Sequence, residues 1–292
     1  MTFPLFKKVG TIERIFLLAA LLIVGLIISL IISVAIVFLK DSVSELGILR
    51  ISQICSQILT FVLPPLLYAC LVKEKPMLSL SFRKAPILFF IIGFVMMYAI
   101  NPLNAIFTEW NTELRLPESM AHLEKMMKDM QESATQITEK MLNVSNISGL
   151  IINLIMIAGL AAFGEELLFR SLLQPFLIKI CKNVHIGIFL ASAIFSFIHF
   201  EFYGFLPRLV LGLLLGYMFY YSKSIWVPML MHFTNNATAV VVYYFNNKGI
   251  TNIDVENFGE TNIFYTLLSI VVMVALFWIT IRISSKQNKE NQ

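Results

Sequence analysis

The sequence predicts an all-α fold: a polytopic transmembrane helical bundle of about eight spans, with a core of four helices carrying the chemistry. Three observations predict it. Hydrophobic residues make up 58% of the chain and charged residues 14%, against about 45–50% and about 25% in soluble globular proteins. The apolar residues gather into runs that reach, or nearly reach, the roughly 20 residues a helix needs to cross a hydrocarbon core of about 30 Å. Almost every charge lies between those runs. Lipid must therefore be the solvent for much of this surface.

The runs are 15–39, 52–72, 86–107, 147–179, 184–200, 206–221, 225–246 and 262–281. The first follows a basic segment. It is too long for a signal-peptide core of about 7–15 residues and ends without a small-residue cleavage pattern, so it reads as a retained span. The fifth and sixth are short, and one of them is expected to be tilted or partly re-entrant.

Orientation follows from the basic residues. With the N-terminus inside, the inner segments hold Lys7, Lys8 and Arg14, then Lys73, Lys75, Arg83 and Lys84, then Lys179 and Lys182, then Lys223, and finally Arg282, Lys286 and Lys289. These are 13 positive residues, against eight in the outer segments. The positive-inside rule then puts both termini in the cytoplasm. The net charge of +4 reflects this topology.

Four regions result: 1–108 with the first three spans, 109–146 outside the membrane, 147–246 as the core of four spans, and 247–292 with a loop, the last span and a basic tail. The external region is acidic. Pro117 opens it, and Met120, Leu123, Met126, Met127 and Met130 follow at three-to-four spacing. That pattern predicts an amphipathic helix on the outer face, its methionine stripe read as packing rather than as a substrate gate.

Several function classes are excluded. No basic stripe with interleaved aromatics is present, so no nucleic-acid partner is expected. Three cysteines (Cys55, Cys70 and Cys181), odd in number and without CxxC spacing, argue against a disulfide framework or a cysteine-based zinc site. There is no internal repeat.

Apart from Lys179 and Arg208 at the ends of their runs, only Glu165, Glu166 and Arg170 carry charge inside a span. Each costs about 2.5–3.5 kcal/mol at the centre of a bilayer helix. Glu166 and Arg170 stand at i and i+4 with the acid first, the favourable order for an ion pair. Glu165, turned about 100° away, has no such partner within its helix, which singles it out as functional. Two histidines lie at comparable depth: His199, one turn after Phe195, and His232, one turn before Asn236. At 1.5 Å per residue, Glu165, His199, His232 and Asn236 fall about 12–21 Å from the inner surface, so they can converge on one cavity. His122 and His185, in a loop and at a membrane boundary, are given no role.

These residues match a known pattern. Glu165-Glu166-Leu-Leu-Phe-Arg170 resembles the EExxxR motif of the CAAX-protease and bacteriocin-processing family of intramembrane peptidases. Phe195-Ser-Phe-Ile-His199 resembles its FxxxH motif, and His232-Phe-Thr-Asn-Asn236 its HxxxN motif. The three occur in order on successive apolar runs, and the resemblance covers about 147–246. It implies an intramembrane endopeptidase that cuts a membrane-associated peptide or protein. Glu165 would be the general base for a water, His199 would help hold that water, and His232 and Asn236 would stabilise the oxyanion. Glu166, Arg170 and Phe195 would support them. The chemistry is coherent, since one aimed side-chain donor at an oxyanion is worth about 2.7–4 kcal/mol.

No cofactor is certain. Glu165, His199 and His232 would be the ligands if zinc is bound, three protein ligands plus a water making a catalytic zinc site. HExxH is absent, and the resemblance accommodates a metal-free, glutamate-activated water as well. Two further readings compete: a non-catalytic membrane scaffold or regulator of the same fold, and a proton-coupled transporter, since glutamates and histidines inside spans also relay protons. The sequence fixes neither the oligomeric state nor the substrate.

Overall fold

The computed structural model describes residues 5–6, 8–38, 41–73, 75–253 and 262–290. Lys7 and Leu39, used above for the first span and its flank, and part of the last loop (254–261) lie outside the described residues.

Every apolar run is helical, and no strand occurs among the described residues. The helices are α1 Thr11–Val37, α2 Glu45–Val72, α3 Pro76–Ser79, α4 Ile87–Ala99, α5 Asn101–Glu113, α6 Ala121–Leu142, α7 Ile147–Cys181, α8 Val184–Phe197, α9 Phe205–Ser222, α10 Trp226–Asn247 and α11 Ile263–Glu290. The protein is an integral membrane protein with an all-helical fold.

Among the described residues, five helices are long and apolar enough to cross a bilayer unaided: α1, α2, α7, α9 with its preceding turn, and α11. The pair α4 and α5, bent by 46°, makes a sixth. The bend follows from Pro102 at the start of α5, which has no N–H to continue the ladder. The count of about eight is thus approximate, for an identifiable reason. The two remaining apolar runs are α8, only 14 residues long and so about 21 Å, and α10. At 22 residues α10 is long enough, but His232, Thr234, Asn235, Asn236 and Thr238 make it too polar to qualify. These are the two helices that carry the histidine motifs. A helix that lines a polar site inside a bundle gives up the apolar character of a lipid-facing span.

Local signals set the helix ends around the core. Asn146 Oδ1 accepts from the Gly149 N–H at 2.6 Å to start α7, and Asn183 Oδ1 accepts from the Ile186 N–H at 3.1 Å to start α8. Lys182, left-handed at φ 51°, ends α7. The α7–α8 hairpin closes tightly because Gly187 lies on the Ile178 backbone. A Cβ at 187 would come within 2.6 Å of both the Ile178 Cα and its nitrogen. That close approach presses the Phe195–His199 end of the antiparallel α8 along α7.

Past His199 the chain turns through Phe200, left-handed at φ 53°. Asn111, fully buried at the end of α5, clamps the turn. Its amide donates to the Phe202 carbonyl (2.8 Å) and its oxygen accepts from the Leu206 N–H (2.7 Å). Helix α6 lies over the same turn, with Gln131 Oε1 accepting from the Tyr203 N–H at 3.0 Å. The expected amphipathic helix is present, but of its methionine stripe only Met127 turns towards the bundle. Met120, Leu123, Met126 and Met130 are exposed, and the half-buried face is Glu124, Met127, Lys128 and Gln131. The polar turn that α6 covers explains the choice of face, because it offers hydrogen-bond partners that methionine cannot use. Lys128 bonds Glu124 at 2.9 Å, and that contact holds the Glu124 carboxyl below its ordinary range.

Candidate active site

Helix α7 supplies the charges. Its middle turn, Ala161–Glu166, is flanked by two π-helical stretches, Leu154–Leu160 and Leu167–Leu173. Such widened turns are rare and are frequently found at functional sites. Glu165, Glu166 and Arg170 are all buried, the last two completely.

Glu166 serves two partners. Its Oε2 lies 3.1 Å from Arg170 Nε, and its Oε1 accepts from His232 Nδ1 at 2.9 Å. The contact with Arg170 is an ion pair, and none of the guanidinium nitrogens has a hydrogen-bond acceptor among the described residues. The guanidinium charge also rests on the Phe195 ring, 5.3 Å from the centroid, a cation–π contact strengthened by burial. Phe195 is the hub of the cluster, meeting Phe169, His199 and His232 edge to face at 5.2, 5.0 and 5.9 Å.

Glu165 faces the other way. Its Oε1 accepts from Gln57 Nε2 at 3.3 Å. Its Oε2 lies 3.9 Å from His232 Nε2 and 4.0 Å from His199 Nε2. The partners of the two imidazoles assign their tautomers. His199 Nδ1 lies 2.7 Å from the Phe195 carbonyl, which can only accept, so Nδ1 carries a proton. The ion-paired Glu166 carboxylate makes the same demand of His232 Nδ1. Both Nε2 atoms therefore point at Glu165 Oε2, too far for direct hydrogen bonds. One water about 2.8 Å from each atom would bridge them at an angle near 90°.

The chemistry of these three atoms suits a cation, but their spacing does not suit zinc. Ligand bonds of about 2.0–2.1 Å in a tetrahedron put ligand atoms about 3.4 Å apart, and both separations here are wider. Among the described residues no group of three His, Cys, Asp or Glu side chains is arranged to hold a metal ion. The side chains as placed do not fit the ion.

Asn236, half-buried, stands one turn along α10 from His232. Its amide donates to the Ile157 carbonyl of α7 at 3.1 Å, and its oxygen lies 3.2 Å from Asn235 Nδ2. One N–H of the amide remains. Among the described residues no hydrogen bond joins Asn236 to Glu165, His199 or His232, so it borders the cluster rather than belonging to it. His185 pairs with Tyr217 at 2.8 Å, away from the site.

Gln57 escaped the sequence reading. A lone carboxamide in an apolar run carries no charge to flag it, and its only available signal was being one of the few amides inside α2.

Comparisons bear on the same residues. The segment 147–238, holding all three motifs, matches the Rce1-like family, described as type II CAAX prenyl endopeptidase Rce1-like. The resemblance read from the motifs is borne out over that segment. A curated relative, the uncharacterized protein YpbD of Bacillus subtilis (strain 168), is 35% identical over 89 residues, covering 29% of this chain and 42% of that protein. The match thus spans less than half of the relative's length. No solved structure matches.

Proposed function

We propose that this integral membrane protein, Rce1-like over residues 147–238, is an intramembrane endopeptidase that hydrolyses a peptide bond of a membrane-associated protein or peptide. One observation carries the reading: a buried carboxylate oxygen, Glu165 Oε2, faces the Nε2 atoms of two histidines brought in by two other helices.

A water held there would donate to Glu165 Oε2 and to neutral His199 Nε2. It would accept from His232 Nε2, with His232 as an imidazolium balanced by Glu166. Glu165 takes the proton as the water oxygen attacks the scissile carbonyl carbon. The oxyanion that forms is met by the His232 Nε2–H and the remaining Asn236 N–H, donors whose effect is large where water is excluded. The intermediate collapses with cleavage of the C–N bond, and Glu165 passes its proton to the departing amine. Water is consumed, and no covalent enzyme intermediate is needed.

The test is to co-reconstitute the protein in liposomes with a library of hydrophobic, membrane-inserting synthetic peptides in ¹⁸O-water and read the products by mass spectrometry. Cleavage fragments whose new C-termini carry one ¹⁸O are expected, and hydroxylamine should trap no acyl intermediate. An intact library in every vesicle preparation would leave the scaffold reading in its place.

In the same reading both termini lie in the cytoplasm. An impermeant thiol reagent applied to cells that express a variant without native cysteines is then expected to label Ser133→Cys and spare Ser285→Cys. The reverse pattern would invert the topology.

A further inference from the structure

Helix α2 lies outside the segment that matches the Rce1-like family, yet it reaches the reacting carboxylate. Its π-helical stretch, Gln57–Val62, packs against α7 beside Glu165. Gly164 makes the approach possible, since a Cβ there would lie 2.9 Å from Phe61 Cβ and 3.0 Å from Val62 Cγ2. The widened turn brings Gln57 inward to 7% exposure, and its Nε2 donates to Glu165 Oε1 at 3.3 Å. The carboxylate can only accept, so the amide orientation is fixed. Gln57 Oε1 then points away and has no hydrogen-bond partner among the described residues.

We infer that Gln57 is a positioning residue of the active site. This rests on the peptidase reading and adds to it a component from an element the family match does not cover. A carboxylate has two equivalent oxygens and can rotate. Holding Oε1 commits Oε2 to His199 and His232, and so selects which oxygen takes the proton from water. Packing alone does not account for the side chain. Methionine would fill the same volume in an apolar helix without burying an unpaired carbonyl oxygen. The carboxamide is therefore retained at a cost to the fold, as expected of a group held for function.

Gln57→Met in lipid nanodiscs, with Gln57→Leu as a second variant should methionine disturb folding, separates the two roles. Misorientation of a reacting group costs up to about a hundredfold. The expected result is a kcat lowered about tenfold or more and a KM within about twofold, with a melting temperature equal to or above wild type. A purely structural glutamine predicts the opposite: lower melting temperature and unchanged kcat in the surviving fold. A second readout does not depend on turnover. The infrared carboxylate stretch of Glu165 in ¹³C-glutamate-labelled protein, identified by its loss in Glu165→Gln, should shift when the donor is removed. An unmoved band, or a shifted band with unaltered kcat, overturns the inference. A wild type that cuts nothing overturns the peptidase reading and this role with it, while the band still reports whether the contact exists.

Discussion

Glu165→Gln is expected to lower kcat by about a thousandfold while the protein stays folded. The substitution removes the base but keeps the shape, and general-base catalysis is worth about 10²–10⁴ in rate. Folding should not suffer, because a buried carboxylate without a full ion-pair partner is itself costly. Glutamine can still present an oxygen to the Gln57 amide. The loss should fall on kcat with little change in KM, the mark of an interaction made in the transition state. Turnover by mass spectrometry and thermal melting in the same detergent check both halves. Retained turnover would remove Glu165 from the chemistry, and a collapsed melt would recast it as a structural group.

Arg170→Met is expected to destabilise the protein by about 3–5 kcal/mol, the scale for breaking a buried ion pair from one side. Glu166 would be left completely buried, its remaining partner His232. The double variant E166M/R170M should recover much of that stability, because two apolar side chains replace a desolvated pair. It should nevertheless stay inactive, because His232 loses the acceptor that orients it. The two substitutions are in contact, so their effects should depart strongly from additivity. Denaturant titration of the single and double variants, with turnover measured beside it, tests the cycle. A double variant as active as wild type would show that Glu166 does not orient His232.

Much of this was legible in the residues because the bilayer makes polarity expensive. Three charges within six residues of an apolar run announce themselves, and the 3.6-residue period separates Glu165 from the Glu166–Arg170 pair without coordinates. All eight apolar runs are helical for the same reason. What the sequence did not carry was three-dimensional partnership. The bond from Glu166 to His232 spans 66 positions and links two motifs that periodicity treats separately. Gln57 stands 108 positions from its partner and has no charge to betray it. Asn236 shares a helical face with His232, yet its amide is tied to Ile157. The methionine stripe of α6 misled because amphipathic spacing shows that a helix has two faces, not which one meets the bundle.

The division of labour at Glu166 also bears on how such a protein comes to exist safely among other membrane chains. Glu165, Glu166 and Arg170 enter the bilayer together on α7, but the imidazole that Glu166 holds arrives only with α10, synthesised after two more helices. Until α10 docks, Glu165 stands beside an incomplete set of partners, and both of the proposed oxyanion donors are missing. If the proposed peptidase reading holds, the growing polypeptide is inactive towards its neighbours until α10 has docked.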